Sequence, residues 1–171
     1  VYPGGPSRDK AEFILQERDQ LTGRTIPGMT NAFSPVFSPD GRRIAFRDQR
    51  FGSLKVIALD GSTPTTLLDS LSGFMNGGLA WGRDGYIYAP GMQGVRGILY
   101  RIPETGGAPE PVTSADTANG TLGHITPVAL PEGRGIVYTE WHGPTRGNDN
   151  WIVAWDLKNR RTVRLIQGLQ A

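Results

Sequence analysis

An all-β fold, a partial β-propeller of four-stranded antiparallel blades, is predicted from three observations. Glycine and proline number 24 and 13, together 37 of 171 residues or about 22%, against an average nearer 12%. A turn glycine recurs at Gly41, Gly85 and Gly133, spacings of 44 and 48 residues, which is close to the period of a propeller blade. Between these turns lie short runs of β-branched and aromatic residues bounded by Gly, Pro, Asp or Asn, the pattern of an antiparallel meander. At 37% hydrophobic and 20% charged residues the chain can bury a core, and it lacks the charge and Gly/Pro excess of a disordered one.

Residues 1–30 predict half a blade. Ser7 followed by Ala11, Phe13, Ile14, Leu15 and Leu21 also fits a capped helix. The repeat argues otherwise: aligning Asp19 with Asp60 lays residues 12–18 over 53–59 and residues 23–27 over a fourth strand. With the strands of each blade lettered a to d in chain order, strands c and d are therefore expected, with Val1 and Tyr2 as the tail of strand b.

Residues 31–71 predict the first full blade, with strands at 33–37, 42–46, 54–59 and 65–68. Its Pro39-Asp40-Gly41 suits a short hairpin, because Pro presets φ, Asp bonds to the backbone ahead and Gly accepts the left-handed region. Residues 72–115 predict the next, with Arg83-Asp84-Gly85 at the same turn, and residues 116–171 the last, with Pro131-Glu132-Gly133. About 3.5 blades result. A radial array leaves its terminal blades open unless the ring closes, and the chain begins at Val1. A piece of a longer protein is expected, or a homodimer in which two copies complete a seven-bladed ring.

No window holds the 18 or more apolar residues of a membrane span, and no basic-then-apolar leader opens the chain. A soluble chain with no membrane contact is expected. The absence of cysteine excludes disulfides, thiolate zinc sites and cysteine nucleophiles. Formal net charge is +2, from 15 Arg and 3 Lys against 16 acidic residues, too near neutral to imply nucleic acid.

Gly-x-Ser-x-Gly, Gly-x-x-x-x-Gly-Lys-Ser/Thr and His-Glu-x-x-His are all absent, so the common hydrolase, nucleotide and zinc signatures fail. Neither catalysis nor a cofactor is expected. His124 and His142 lack further ligands at metal spacing. Asp116-Thr-Ala-Asn-Gly120 and Gly147-Asn-Asp-Asn150 do not fit a calcium loop and read as turns. Arg160, Arg161 and Arg164 lack the aromatic interleaving of a nucleic-acid groove and read as solvated strand-edge charge. Phe37, Trp81, Tyr100, Trp151 and Trp155 fall in strands and are expected to pack between blades.

In a propeller, the b–c loops and d-to-a connections gather on one face. Arg50, Phe51, Met92, Arg96, His124, Trp141, His142 and Arg146 are the candidate binding residues there, since Trp and Arg are enriched where binding energy concentrates.

Phe37-Ser-Pro-Asp-Gly-Arg-Arg-Ile-Ala-Phe46 resembles the TolB-like, or PD40, propeller repeat, matching it position for position. Trp81-Gly-Arg-Asp-Gly85 and Leu130-Pro-Glu-Gly133 depart from that motif. The likeness covers roughly residues 10–168. The order of the pieces is similar to the propeller of bacterial Ser/Thr-kinase-type sensors. That resemblance implies a non-catalytic module in the periplasm or outside the cell, binding a protein, peptide or small-molecule ligand. PD40 propellers also gate prolyl-oligopeptidase-like serine peptidases, which implies an alternative: a gating propeller whose catalytic domain lies outside this chain.

Overall fold

The structure, a computed structural model, describes residues 2–4, 12–48, 52–70, 77–93, 96–114, 116, 118–143 and 149–168. The chain divides into two compact units, Val1–Leu71 and Ser72–Ala171. Among the described residues no helix is long and apolar enough to cross a membrane.

In the first unit, β1 (Tyr2–Gly4), β2 (Glu12–Leu15) and β3 (Arg24–Thr25) form an antiparallel sheet in that order. Within the segment where helix and strand compete, Glu12–Leu15 is thus extended. Phe13 and Leu15 are buried and Ile14 only half-buried between them, the two-residue period of a strand. A four-stranded meander follows: β4 (Ala32–Phe37), β5 (Arg43–Asp48), β6 (Ser53–Ala58) and β7 (Thr65–Leu68). Ile44 and Phe46 of β5 join Ile57 of β6 and Phe13, Leu15, Ile26 and Met29 in one core, each large side chain contributing about 1.5–3 kcal/mol. Phe37 does not pack as expected. It is 40% exposed, at the last position of β4 beside the exposed turn residues 39–42.

The second unit holds two meanders. The first is β8 (Ala80–Trp81), β9 (Tyr86–Gln93), β10 (Arg96–Pro103) and β11 (Glu110–Pro111). The second is β12 (Gly123–Ala129), β13 (Gly135–Trp141), β14 (Trp151–Asp156) and β15 (Arg161–Gln167). Ala80, Tyr88 and Leu99 of one sheet pack on Ile136, Tyr138, Val153 and Trp155 of the other. Trp81 is also buried, while Tyr100 and Trp151 are half-buried. The outer strand β15 is exposed along its length.

Each full blade carries the same two backbone irregularities. The turn glycines Gly41, Gly85 and Gly133 have φ of 71, 82 and 67°, as the hairpin chemistry requires. Seven residues before each glycine the innermost strand or its approach is also left-handed, at Ser34 (φ 49°), Gly78 (82°) and Thr126 (50°). At Ser34 and Thr126 this is a β-bulge: the pairing slips between Phe33 and Val36, and between Ile125 and Val128. A proline follows both residues, removing a ladder donor where the bulge interrupts the ladder.

The a-to-b turns close by different means. In the first full blade the Ser38 hydroxyl donates to Asp40 Oδ1, which also accepts the Arg42 N–H at 3.1 Å. In the next, Gly82 replaces the serine, and the Tyr88 hydroxyl donates to Asp84 instead. In the last, Pro131–Gly133 tightens into a 3-10 turn.

Candidate functional site

Strand β13 reads Gly-Ile-Val-Tyr-Thr-Glu-Trp, and its pleat sends Ile136, Tyr138 and Glu140 to one face. In the ladder, Glu140 stands opposite Trp151, Tyr138 opposite Val153, and Val153 opposite Arg164. Glu140 and Arg164 are therefore diagonal neighbours across β14, within reach of a long side chain. Arg164 passes over the Trp151 ring, 5.6 Å from its centroid, and donates from Nη2 to Glu140 Oε1 at 2.6 Å and from Nε to Oε2 at 3.3 Å.

Glu140 is 7% exposed, and burying a carboxylate is costly unless donors surround it. The Thr121 hydroxyl donates to Oε1 at 3.1 Å, and His142 Nε2 lies 3.2 Å from the same oxygen. Burial alone would raise the Glu140 pKa. The hydrogen bonds from Arg164 and Thr121, with the Arg164 charge, outweigh it and hold the carboxyl below the usual carboxylate range.

His124 pairs with Glu140 across the β12–β13 ladder and lies 4.7 Å from the Tyr138 ring, tilted by 48°. Its Nδ1 is 2.7 Å from Thr113 Oγ1. That hydroxyl accepts the Leu99 N–H at 2.9 Å, leaving its own proton to be donated to the imidazole. Burial pushes the His124 pKa down to about 4, against the pull of the Glu140 charge, so the ring is neutral at pH 7. Burial, then the Glu140 charge, raises the Tyr138 hydroxyl well above its ordinary value.

Thr113, His124, Tyr138, Glu140 and Arg164 line a groove of about 560 Å³ between Val112, Ser114, Asp116 and Asn119 on one side and the face of β13–β15 on the other. A second lobe of about 350 Å³, lined by Arg101 and Glu110, shares Val112, Trp155 and Arg160 with it. Trp155, 9% exposed, lies between the two lobes. The groove offers a ligand guanidinium donors, the hydroxyls of Ser114 and Thr162, and an aromatic edge.

Of the residues singled out from the sequence, His124 and His142 come together around Glu140. Both histidines are buried, so neither presents its ring on an open surface. The His142 N–H donates to Asn150 Oδ1 at 2.8 Å, and Trp141, half-buried, alternates to the opposite face of β13. Met92 and Arg96 lie in β9 and β10 at the end where these strands approach their connection, and their side chains are outside the described structure. Arg50, Phe51 and Arg146 also lie outside the described residues. Asp116 forms a turn, accepting the N–H groups of Ala118 and Asn119 at 3.1 and 3.4 Å. Among the described residues no three His, Asp or Glu side chains converge as metal ligands.

Glu140, Thr113, Thr121 and Tyr138 were not singled out, and Arg164 is a structural ion-pair partner where free edge charge is expected. The signal for Glu140 is present in the repeat: it occupies the same end-of-strand position as Asp48. The Arg164 pairing is a diagonal across an intervening strand, which no linear spacing displays.

TolB from Acinetobacter baumannii superposes with a TM-score of 0.75 at 17% identity, over 97% of this chain and 40% of that one. The fold is that of a TolB-like propeller. A putative TolB from Agrobacterium tumefaciens is similar, with a TM-score of 0.74 at 17% identity over 94% of this chain and 60% of its own. A structure from work on two prolyl endopeptidases matches with a TM-score of 0.68 at 12% identity over 99% of this chain and 29% of that one. The chain thus spans less than two thirds of each of these. No protein-family model matches it, and a comparison with curated proteins gives no match.

Proposed function

We propose that the chain is a non-catalytic, ligand- or protein-binding segment of a TolB-like propeller, carried by a larger bacterial protein on the periplasmic or outer side of the membrane. The observation that carries this reading is the groove of the second unit. Its wall is a set of buried groups held in two hydrogen-bonded pairs, Thr113 with His124 and Arg164 with Glu140, with the Tyr138 ring against His124. Side chains held in this way present a fixed surface, which lowers the ordering cost of recognition. The sequence resemblance to kinase-type sensor propellers supports a sensing role outside the cytoplasm.

A thermal-shift screen of the full chain against peptides and metabolites, followed by amide chemical-shift mapping, tests the reading. Hits that perturb Thr113, Glu140 and Trp155 are expected. A screen without hits, or hits that map elsewhere, would overturn it.

The likeness to a prolyl endopeptidase structure favours a second reading, a propeller that gates a serine peptidase. The flanking coding sequence separates the two: an α/β-hydrolase domain downstream supports the gate, and a membrane segment or kinase domain upstream supports the sensor.

A further inference from the structure

The groove holds two guanidinium groups for which the described residues supply no carboxylate. Arg164 is held by Glu140, and Arg101 donates to Glu110 Oε2 from Nε at 2.8 Å and Nη2 at 2.6 Å. The side chains of Arg160 and Arg161 have no hydrogen-bond or ion-pair partner among the described residues. The two nearby acids are turned to their own loops. Asp116 accepts the Ala118 and Asn119 N–H groups and the Asn119 amide. Asp156, which feels the Arg161 charge, accepts the Lys158 and Asn159 N–H groups and the Asn159 amide.

Arg160 is also strained. It closes the β14–β15 hairpin with φ of 52°, its N–H donating to the Asp156 carbonyl at 2.9 Å. This is a left-handed position where Gly or Asn is the usual occupant. An arginine there weakens the turn, and it stands where the two lobes meet, lining both. Free guanidinium groups match carboxylates as two-pronged donors. Two lobes that share Val112, Trp155 and Arg160 give a longer site than a compact ion fills, and one that an extended chain can occupy.

We propose that this groove binds an acidic peptide in extended form, with a carboxylate held by Arg160 and Arg161 and the chain lying across Trp155. The proposal rests on the binding reading above and narrows it to one ligand class.

Calorimetric titration of the full chain at low salt with blocked pentaglutamate, blocked pentaglutamine and inorganic phosphate tests it. Pentaglutamate is expected to bind saturably, with affinity falling about tenfold in Arg160→Gly and again in Arg161→Ser. Arg160→Gly keeps or raises the thermal midpoint, because glycine is at ease at positive φ. Lost binding in that variant is therefore not lost folding. Equal affinity in wild type and Arg160→Gly overturns the proposal, as does phosphate binding in place of the peptide. Pentaglutamine binding as tightly as pentaglutamate overturns the anion site but leaves a peptide-binding groove standing. If neither peptide binds, the acidic-peptide claim falls, and the ligand screen then decides the wider reading separately.

Discussion

Two blades of the chain bury a carboxylate at the same address and stabilise it differently. Asp48 is the last residue of β5 and Glu140 the penultimate residue of β13, each seven residues after its blade's turn glycine. In the first blade the cation comes from the adjacent strand, where Lys55 Nζ lies 2.6 Å from Asp48 Oδ2, and Lys55 pairs in turn with Thr66 of β7. In the last blade the corresponding ladder positions read Val153 and Arg164. The cation has moved one strand outward, and apolar Val153 takes the place of the lysine. The opposite neighbour changes as well: Ala32 pairs with Asp48, but His124 pairs with Glu140. Moving the charge outward requires the longer arginine and brings histidine and threonine hydroxyls into the set. A local ion pair has become a polar wall.

The histidine is where the two blades should part most. His124 is 3% exposed, with its pKa lowered from 6.5 to about 4. Between those values the unfolded chain takes up a proton that the folded protein refuses, so stability is fully present above pH 6.5 and is lost as pH falls toward 4. The shift corresponds to about 3 kcal/mol in all, about two thirds of it lost by pH 5. Glu140, whose folded pKa is depressed, has the same sign, but its contribution fades only below the ordinary carboxylate range. Urea unfolding at pH 7 and pH 5 thus isolates the histidine. His124→Ala, which copies Ala32 of the other blade, should be less stable at pH 7 yet lose much less than wild type on going to pH 5. Equal losses would show that His124 is not the source.

The carboxylates themselves give a smaller contrast. Glu140→Gln removes the charge that Arg164 and His142 address and is expected to cost about 2 kcal/mol. This is below the usual penalty for breaking a fully buried pair, because the Arg164 side chain is 41% exposed and can rehydrate. Glu140→Gln weakens bonds from Arg164, Thr121 and His142 together, whereas Asp48→Asn weakens the ion pair with Lys55 and should cost less. Unfolding free energies of the two variants measured side by side check the order, and a larger loss for Asp48→Asn would reverse the account of which network is more tightly held.

The sequence makes the backbone more legible than the site. Gly41, Gly85 and Gly133 mark the blade period because each turn needs a left-handed residue, and that requirement is local. The bulges are absent from that reading, although Ser34-Pro35 and Thr126-Pro127 place a proline inside a strand run, which a regular ladder does not tolerate. The wall around Glu140 is legible only in part. His124 and His142 stand out as rare residues in the right region, but whether an imidazole faces solvent or Thr113 depends on the neighbouring sheet. Arg164 reads as edge charge because its partner lies two strands away, a relation created by register and not by spacing. Phe37 fails for the converse reason: its type predicts burial, and its place beside an exposed turn denies it.

The smallest expected difference lies in the turns. Asp40 and Glu132 are aligned, each one residue before its turn glycine, but Glu132 is itself left-handed at φ 61° while Asp40 is not. A left-handed non-glycine residue costs roughly 1–2 kcal/mol, and asparagine bears that conformation better than glutamate. The ion pair from Arg134 to Glu132 joins two side chains that are 74% and 71% exposed, so its loss should matter by well under about 1 kcal/mol. Glu132→Asn should therefore gain about 0.5 kcal/mol, a rise of about 1–2 °C in the thermal midpoint of a chain this size. Asp40→Asn should gain nothing, since it relieves no backbone strain and gives up the carboxylate that accepts the Ser38 and Arg42 donors. A gain at Asp40 and none at Glu132 would mean that side-chain capping, rather than backbone conformation, limits the stability of these turns.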